Sequence, residues 1–398
     1  MLIMEESLDK TKKCDFCGGK ELVAVYQVPD SLSGIEVLVC NICGLVQSLR
    51  TVEVQTRDRV VSTSSGSDWG NIRHGKGLRF NQVKEILNSN IPWNRINAVL
   101  DVGSNRGDFV LWLSENKKVD EIIGIEPDYL VVDEYRDLEN LNLVLDRFEN
   151  VSLPSNHFDL VYCVHTLEHS DSASLMLKRM FDCLRIGGFL FLEVPNINII
   201  KEEDTVEEFF IDKHTFHFNR SLLCQYLKFL GFKILYGENS SDQFNITFVA
   251  VKEEGKQGNQ IFRSETNLLA ENNKKLLRNY SDTLYRNREK LAQLTDTKII
   301  PLLSRQKIVF WGAGRIFDAL VKYSHLGTEG FELVDEYLWK IVPKIHGIEV
   351  HRPEYLRISQ PQVVIVLARS SADEIVSKAR SFGCRNVIKF EDLLLSSV

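Results

Sequence analysis

The sequence predicts an α/β protein with two separate parallel-sheet units behind a small, cysteine-punctuated N-terminal unit. Three observations carry this reading. Two Cys-x2-Cys pairs lie within residues 14–43, short apolar runs alternate with amphipathic segments from Asn97 to residue 251, and a second alternation starts at Lys307. Strand and helix signals that alternate in this way read as parallel sheets covered on both faces. At 398 residues the chain is long enough for two or three cores. The expected divisions are 1–56, 57–253, a helical linker over 254–306, and 307–398.

The first unit is defined by Cys14, Cys17, Cys40 and Cys43, two pairs separated by 22 residues. Each pair fits a tight knuckle, for which Gly18, Gly19 and Gly44 supply backbone freedom. Four thiolates at this spacing suit tetrahedral Zn²⁺ and leave no coordination position open for catalysis. Asp15, Asp30 and Glu36 lie among or between the pairs and make no basic stripe, so the expected task of the metal is to hold a lid or platform. The other cysteines, Cys163, Cys183, Cys224 and Cys384, fall in apolar or amphipathic stretches and read as small core residues. A polar run over Ser62–Asp68 follows, then a helix from about Lys76 to Asn88.

The second unit shows seven strand signals: 98–102, 121–126, 141–145, 158–163, 189–194, 232–237 and 245–251. Helices fit at 107–116, 129–138, 172–185 and 220–230. After the first strand comes Asp101-Val102-Gly103-Ser104-Asn105-Arg106-Gly107-Asp108, a glycine turn that opens a helix. In an open α/β sheet the ligand crevice lies at the carboxyl ends of the strands, where such a turn lets backbone approach a ligand. The register is not G-x-G-x-x-G. The next strand ends at Glu126, about 20 residues on, where a carboxylate can accept hydrogen bonds from both hydroxyls of a ribose.

Together with Asp146-Arg147-Phe148 and His165-Thr166-Leu167-Glu168-His169, these residues resemble the class I S-adenosylmethionine-dependent methyltransferases. The resemblance implies that Asp101, Gly103, Ser104, Asn105 and Gly107 border the methionine and ribose moieties and that Glu126 holds the ribose. It also implies that Arg147 and Phe148 lie beside the adenine and that His165 lines the methionine side. A satisfied structural histidine is the alternative for His165. Over nearly its whole length the chain is similar to a narrower group, the zinc-ribbon sugar C-methyltransferases. These place a four-cysteine zinc unit before the methyltransferase sheet and a Rossmann-like unit after it, and act on nucleotide-linked deoxysugars.

Methyl transfer needs a nucleophile aimed at the methyl carbon and a base for its proton. The stretch Phe209-Phe210-Ile211-Asp212-Lys213-His214-Thr215-Phe216-His217-Phe218-Asn219 follows the fifth strand and is expected beside the cofactor. In the sugar C-methyltransferases this stretch carries a Tyr-x-Glu-His cluster. His214 falls on the base histidine, whereas Ile211 and Lys213 replace the tyrosine and glutamate, and residues 57–80 contain no tyrosine. O- or N-methylation of another metabolite, or cofactor binding without catalysis, therefore stands beside sugar C-methylation. His217 and Asp212 are secondary candidates, and Glu168 and His169 are candidates for catalytic or supporting roles. Packing or capping of the helix near Ser221 is the alternative for His214 and His217.

In the last unit Lys307-Ile308-Val309-Phe310-Trp311-Gly312-Ala313-Gly314-Arg315 is a strand, glycine turn and helix start, with Asp335 closing the next strand. Phe317 stands where a dinucleotide fingerprint has its third glycine. Resemblance implies that this unit helps hold the sugar nucleotide, with Gly312, Gly314 and Arg315 meeting a phosphate. A ligand-free unit is the alternative.

A net charge of −7 counts against a protein built to grip nucleic acid. No apolar run approaches the roughly 20 residues of a membrane span, and the first residues carry no signal-peptide core. The expected setting is cytoplasmic, as a monomer or homodimer acting on a small molecule.

Overall fold

The computed structural model describes residues 13–29, 31, 33–51, 78–129, 132, 135–200, 209–211, 213–255, 266–340, 342–368 and 371–395. The polar run over 62–68, the candidate base Asp212, Asp30 and most of the tyrosine-free stretch 57–80 lie outside them.

Three sheets organise the chain. The first contains β1 (Leu22–Gln27), β2 (Ile35–Cys40) and β3 (Val46–Arg50), all antiparallel. Next come helix α1 (Leu78–Asn90), strand β4 (Ala98–Val102), helix α2 (Asp108–Asn116), and strands β5 (Glu121–Ile125), β6 (Leu141–Val144) and β7 (Phe158–Val164). Helix α3 (Ala173–Cys183) leads directly into β8 (Leu184–Pro195), and the short β9 (Phe216–His217) precedes α4 (Arg220–Leu230), β10 (Phe232–Tyr236) and β11 (Asn245–Lys252).

The seven-stranded sheet runs β10-β11-β8-β7-β4-β5-β6. Strands β4 to β8 are parallel, while β11 runs antiparallel between β8 and β10. Every residue of β4 is buried, as expected where helices cover both faces. Alternate side chains feed two cores: Leu100 and Val102 join Phe158, Leu177 and Leu227 on one face, and Val99 joins Val110, Leu113 and Leu160 on the other. Strand order reverses at β4, whose neighbours are β5 and β7, so the crevice of this sheet falls at the carboxyl ends of β4 and β7.

One connection is invisible in sequence. β9 pairs with β3, Val46 opposite His217 and Gln47 opposite Phe216, and so becomes the fourth strand of the cysteine-bearing sheet. The cysteine unit is thus joined through its hydrogen-bond ladder to the segment that carries the histidine candidates. Phe16 stacks on Tyr226 at 4.0 Å between ring centroids, and the Asp15 carboxylate accepts from the Ser172 hydroxyl at 2.6 Å and the Ser174 N–H at 2.7 Å.

The helix expected over 129–138 is not made by its described part, since residues 135–137 form a turn. Tyr135 instead serves as a wall of the glycine turn, and its hydroxyl donates to the Asn105 carbonyl at 2.7 Å.

Helix α5 (Thr266–Leu294) passes through a π turn at Thr295–Ile299 into α6 (Ile300–Leu303). Its leucines at 277, 284 and 291 are buried and Leu268 is exposed. The chain divides into two compact units, with the boundary in α5 near residue 280. The second unit contains β12 (Ile308–Trp311), α7 (Arg315–Tyr323), β13 (Phe331–Val334), β14 (Lys344–Ile345), β15 (Ile348–His351), α8 (Leu356–Ser359), β16 (Val363–Val366), α9 (Ala372–Ser381), β17 (Val387–Lys389) and α10 (Phe390–Leu395). Its sheet runs β14-β15-β13-β12-β16-β17, parallel except for the β14–β15 hairpin. That hairpin turns at His346 and Gly347, both at positive φ, as a two-residue loop between strands requires. No helix among the described residues is long and apolar enough to cross a membrane.

Candidate functional site

The crevice is built around the turn after β4. Gly103 and Gly107 have φ of 80° and 78°, and Asn105 between them is also left-handed at 46°. Neither glycine has room for a side chain. A Cβ on Gly103 would stand 2.1 Å from the Thr166 hydroxyl, and one on Gly107 would stand 2.3 Å from the Tyr135 ring. Glu126, at the end of β5, braces the turn by accepting the Asn105 N–H at 2.8 Å and the Asp128 N–H at 2.9 Å. Burial pushes its carboxyl up to about 7 despite these two bonds.

Asp101 is the more unusual group. It is 1% exposed, and neither of its carboxylate oxygens has a hydrogen-bond partner. Burial raises it to about 8, with the Glu126 charge adding to the shift and the nearby Ser104 hydroxyl opposing it. That hydroxyl is turned to the Asp101 carbonyl at 3.4 Å. A buried acid left this way asks for a cation or a donor to complete it.

On the neighbouring strand, His165 follows β7 in a left-handed conformation with φ 49°. Strained non-glycine residues of this kind persist where surrounding contacts over-determine them. Its Nδ1 lies 3.4 Å from Glu168 Oε1 and its Nε2 3.5 Å from Glu193 Oε1, while 40% of the side chain remains exposed. Desolvation opposes charge on the ring, but the two carboxylates outweigh it and hold the imidazole protonated, up to about 10. Glu193 is fully buried and also takes Arg79 Nε at 2.8 Å and the Thr247 hydroxyl at 2.7 Å. Desolvation would raise it, yet His165 and Arg79 bring it down to about 2.

Arg79 and Glu193 were not singled out from sequence for this task. Glu193 carried a signal, a lone acid in the apolar run Phe189-Leu190-Phe191-Leu192-Glu193-Val194. Arg79 carried none, because Glu193, Asp242 and Thr247, which hold it here, lie more than 100 residues away.

Arg147 and Phe148 do not meet as a pair facing the crevice. Phe148 is 3% exposed, under the Arg179 guanidinium, and Arg147 is tied to Asp171 and, at 3.0 Å, to Glu149. At the same place, at the end of β6, exposed Asp146 accepts the Arg147 N–H at 2.7 Å and the Asn150 amide at 2.8 Å.

The histidine candidates separate. His217 is 2% exposed and its Nε2 lies 2.7 Å from the Ser48 hydroxyl, with Phe209 and Phe210 against the ring. Burial, with Arg50 adding, lowers it to about 3, so it packs as a neutral ring that joins β9 to β3. His214 instead comes beside His169, ring centroids 4.9 Å apart, and Glu168 lies with them: one ligand atom from each of the three falls within 4.8 Å of the others. The Thr215 N–H to Glu168 carbonyl bond at 2.7 Å fixes this approach.

The four cysteines also come together. Cys14 and Cys43 sulfurs are 3.4 Å apart and those of Cys17 and Cys40 3.6 Å. The Gly19 and Leu45 N–H groups point at Cys17 and Cys43 sulfurs at 3.4 and 3.5 Å, the donor pattern a thiolate knuckle needs.

In the second unit Asp335 accepts the Ala313 N–H at 2.9 Å and the Tyr337 and Leu338 N–H groups, each at 2.9 Å. Gly312 has φ 119° and lies against the Leu367 carbonyl, whereas Gly314 faces open space and Arg315 opens α7.

A family model described as a methyltransferase domain matches residues 77–236. Residues 77–236 are thus similar to a methyltransferase domain, over less than half of the chain. The chain is 30% identical over 131 residues to a tRNA U34 carboxymethyltransferase of Desulforapulum autotrophicum, covering 29% of this chain and 39% of that protein. It is 26% identical over 117 residues to a protein of the same name from Desulfotalea psychrophila, covering 28% and 36%. The chain thus spans 39% or less of the length of these relatives. Among solved structures, an S-adenosylmethionine dependent methyltransferase from Mesorhizobium loti is 14% identical, covering 42% of this chain and 96% of its own, with a TM-score of 0.36.

Proposed function

We propose that the chain transfers a methyl group from S-adenosylmethionine to a small-molecule acceptor, a nucleotide-activated sugar of polysaccharide or natural-product biosynthesis. The observation that carries methyl transfer is the pair Asp101 and Glu126, two buried acids of raised pKa bracketing a glycine turn. Both fit the donor: a sulfonium and an ammonium supply the positive charge that Asp101 lacks, and a ribose diol supplies donors to Glu126. The donor contributes an electrophilic methyl group when bound.

The chain's own residues do the rest. The backbone at Gly103, Ser104, Asn105 and Gly107 lets the nucleoside approach, and His165 offers its imidazolium to the donor's carboxylate. His214, next to Glu168, takes the acceptor's proton. Zinc at Cys14, Cys17, Cys40 and Cys43 holds the first sheet, and β9 with it. A tetrahedral Zn–S length of about 2.3 Å corresponds to sulfurs about 3.8 Å apart, close to the 3.4 and 3.6 Å found. The sugar assignment draws support from the order of units, cysteine sheet, methyltransferase sheet and second parallel sheet, with Gly312, Gly314 and Arg315 assigned to the nucleotide phosphates.

The names of the relatives favour a second acceptor, transfer RNA. The charge of −7 weighs against it. A mass-spectrometric screen with S-adenosylmethionine separates the two. Gain of one methylene unit by a nucleotide-sugar supports the first, gain by tRNA the second, and calorimetry without any donor binding rejects both. Metal analysis of the reduced protein is expected to give at least one zinc per chain, lost together with the first sheet in Cys14→Ser. Structural zinc is worth about 10–16 kcal/mol in small units. Metal-free protein with an intact first sheet overturns the zinc assignment.

A further inference from the structure

We propose that Glu168, His169 and His214 form a second metal site, a two-histidine, one-carboxylate set for a divalent ion of the zinc, manganese, iron or cobalt class. The argument begins with protons. His169 Nδ1 lies 3.0 Å from the Lys213 carbonyl and His214 Nδ1 2.8 Å from the Phe209 carbonyl. A carbonyl only accepts, so in each ring Nδ1 carries the hydrogen and Nε2 is the basic nitrogen. Histidines that bind metals are oriented by just such a bond from the other ring nitrogen. The carboxylate completes the set. Glu168 is 2% exposed, turns Oε1 toward His165 at 3.4 Å and His169 Nε2 at 4.0 Å, and has its buried Oε2 without a hydrogen-bond partner. One ligand atom from each residue lies within 4.8 Å of the other two, so a small shift brings all three to the roughly 2.0–2.2 Å of a metal bond.

Backbone geometry holds the three together. Glu168 and His169 share one 3-10 turn, and the Thr215 N–H to Glu168 carbonyl bond at 2.7 Å ties that turn to the segment carrying His214. Nitrogen and carboxylate donors suit borderline ions better than calcium or magnesium. Three protein ligands leave positions open, as in catalytic rather than structural sites. The turn begins two residues after His165, so the ion would stand beside the donor crevice and bind an oxygen of the acceptor. In that state His214 is a ligand, and the acceptor's proton is acidified by the ion and lost to water, with no redox change. The site goes beyond the methyl-transfer reading and does not require it.

The test is a metal count on the full chain with its cysteine site loaded. Titration with Co²⁺, followed by visible absorption, and with Mn²⁺ by calorimetry, is expected to show one further equivalent. That equivalent should weaken by more than about tenfold in His169→Ala and in Glu168→Gln, while zinc at the cysteines is retained and reports an intact fold. No further equivalent at millimolar Co²⁺ and Mn²⁺, or one that both variants keep, overturns the site. If it fails while donor binding and methyl transfer persist, His214 stands as the base. If the ion binds and no donor does, the methyl-transfer reading falls alone.

Discussion

The turn after β4 and the turn after β12 follow one plan. Each joins a fully buried parallel strand to a helix, and each is braced by a carboxylate at the end of the next strand. Glu126 takes the Asn105 N–H, and Asp335 takes the Ala313 N–H. They differ in what is left unpaired. Beside the first turn, Asp101 is buried with both oxygens unmet and His165 is held charged by two acids. In the second, Asp335 accepts three backbone N–H groups, and from residue 307 onward no buried side-chain nitrogen or oxygen among the described residues lacks a partner. The shared plan is a way of folding a strand into a helix. The unmet charge is what marks a place for a ligand.

Glycine substitution breaks the first turn hardest. Gly107→Ala combines a left-handed backbone with a Cβ 2.3 Å from the Tyr135 ring, and is expected to cost about 2–4 kcal/mol and to abolish donor binding. Denaturant melts and calorimetry check this, and wild-type values for both would show that the loop is not the cradle described. Next in size is the carboxylate pair. Glu126→Ala should lower donor affinity about tenfold to a hundredfold, as for loss of hydrogen bonds to a charged group, whereas Asp335→Ala leaves it unchanged. Equal effects in the two variants would erase the distinction between the turns.

Much of the central sheet was legible because its inner strands are buried on both faces and read as continuous apolar runs. β4 falls on the expected 98–102, and the other six differ mainly at their ends, most at β8, which starts at Leu184 rather than at 189. Asp101, Glu126 and the four cysteines were legible as well, since each lies at a fixed offset from a turn. What sequence hid was pairing at long range. Nothing local announces that Phe216 and His217 join β3, and that pairing is what buries His217 and carries His214 to Glu168 and His169. Likewise Arg79 belongs to the crevice only because Glu193 on β8 and Asp242 in the loop between β10 and β11 reach it from far along the chain. Within the helix expected over 129–138, the described residues 135–137 form a turn that sets Tyr135 against Gly107, a contact of the same kind.

The acids of the first turn also make a pH test. A buried acid whose folded pKa is raised keeps a proton that the unfolded chain has already released. Its contribution therefore lowers stability as pH climbs from the ordinary carboxylate range to about 8. Asp101→Asn removes the titration. The ligand-free variant should melt higher than wild type at pH 8 and close to it at pH 5, with about 2–4 °C for each kcal/mol. Parallel melting curves across that range would mean that Asp101 is already satisfied.

The smallest expected effect is the sharpest control. Gly314 has an ordinary negative φ of −81°, and a Cβ there would meet nothing within 4 Å. Gly314→Ala should thus change stability by no more than about 0.5 kcal/mol. Gly312, at φ 119° and with the Leu367 carbonyl 2.9 Å from a would-be Cβ, cannot be treated in this way. If the open face at Gly314 receives a phosphate of the acceptor, the added methyl group crowds that approach and raises the KM for a nucleotide-sugar, with donor affinity and melting temperature untouched. If the second turn is only a fold device, KM stays as it is. A change in KM without a change in stability would move the second turn into the class of the first, and its absence would leave unmet buried charge as the property that separates them.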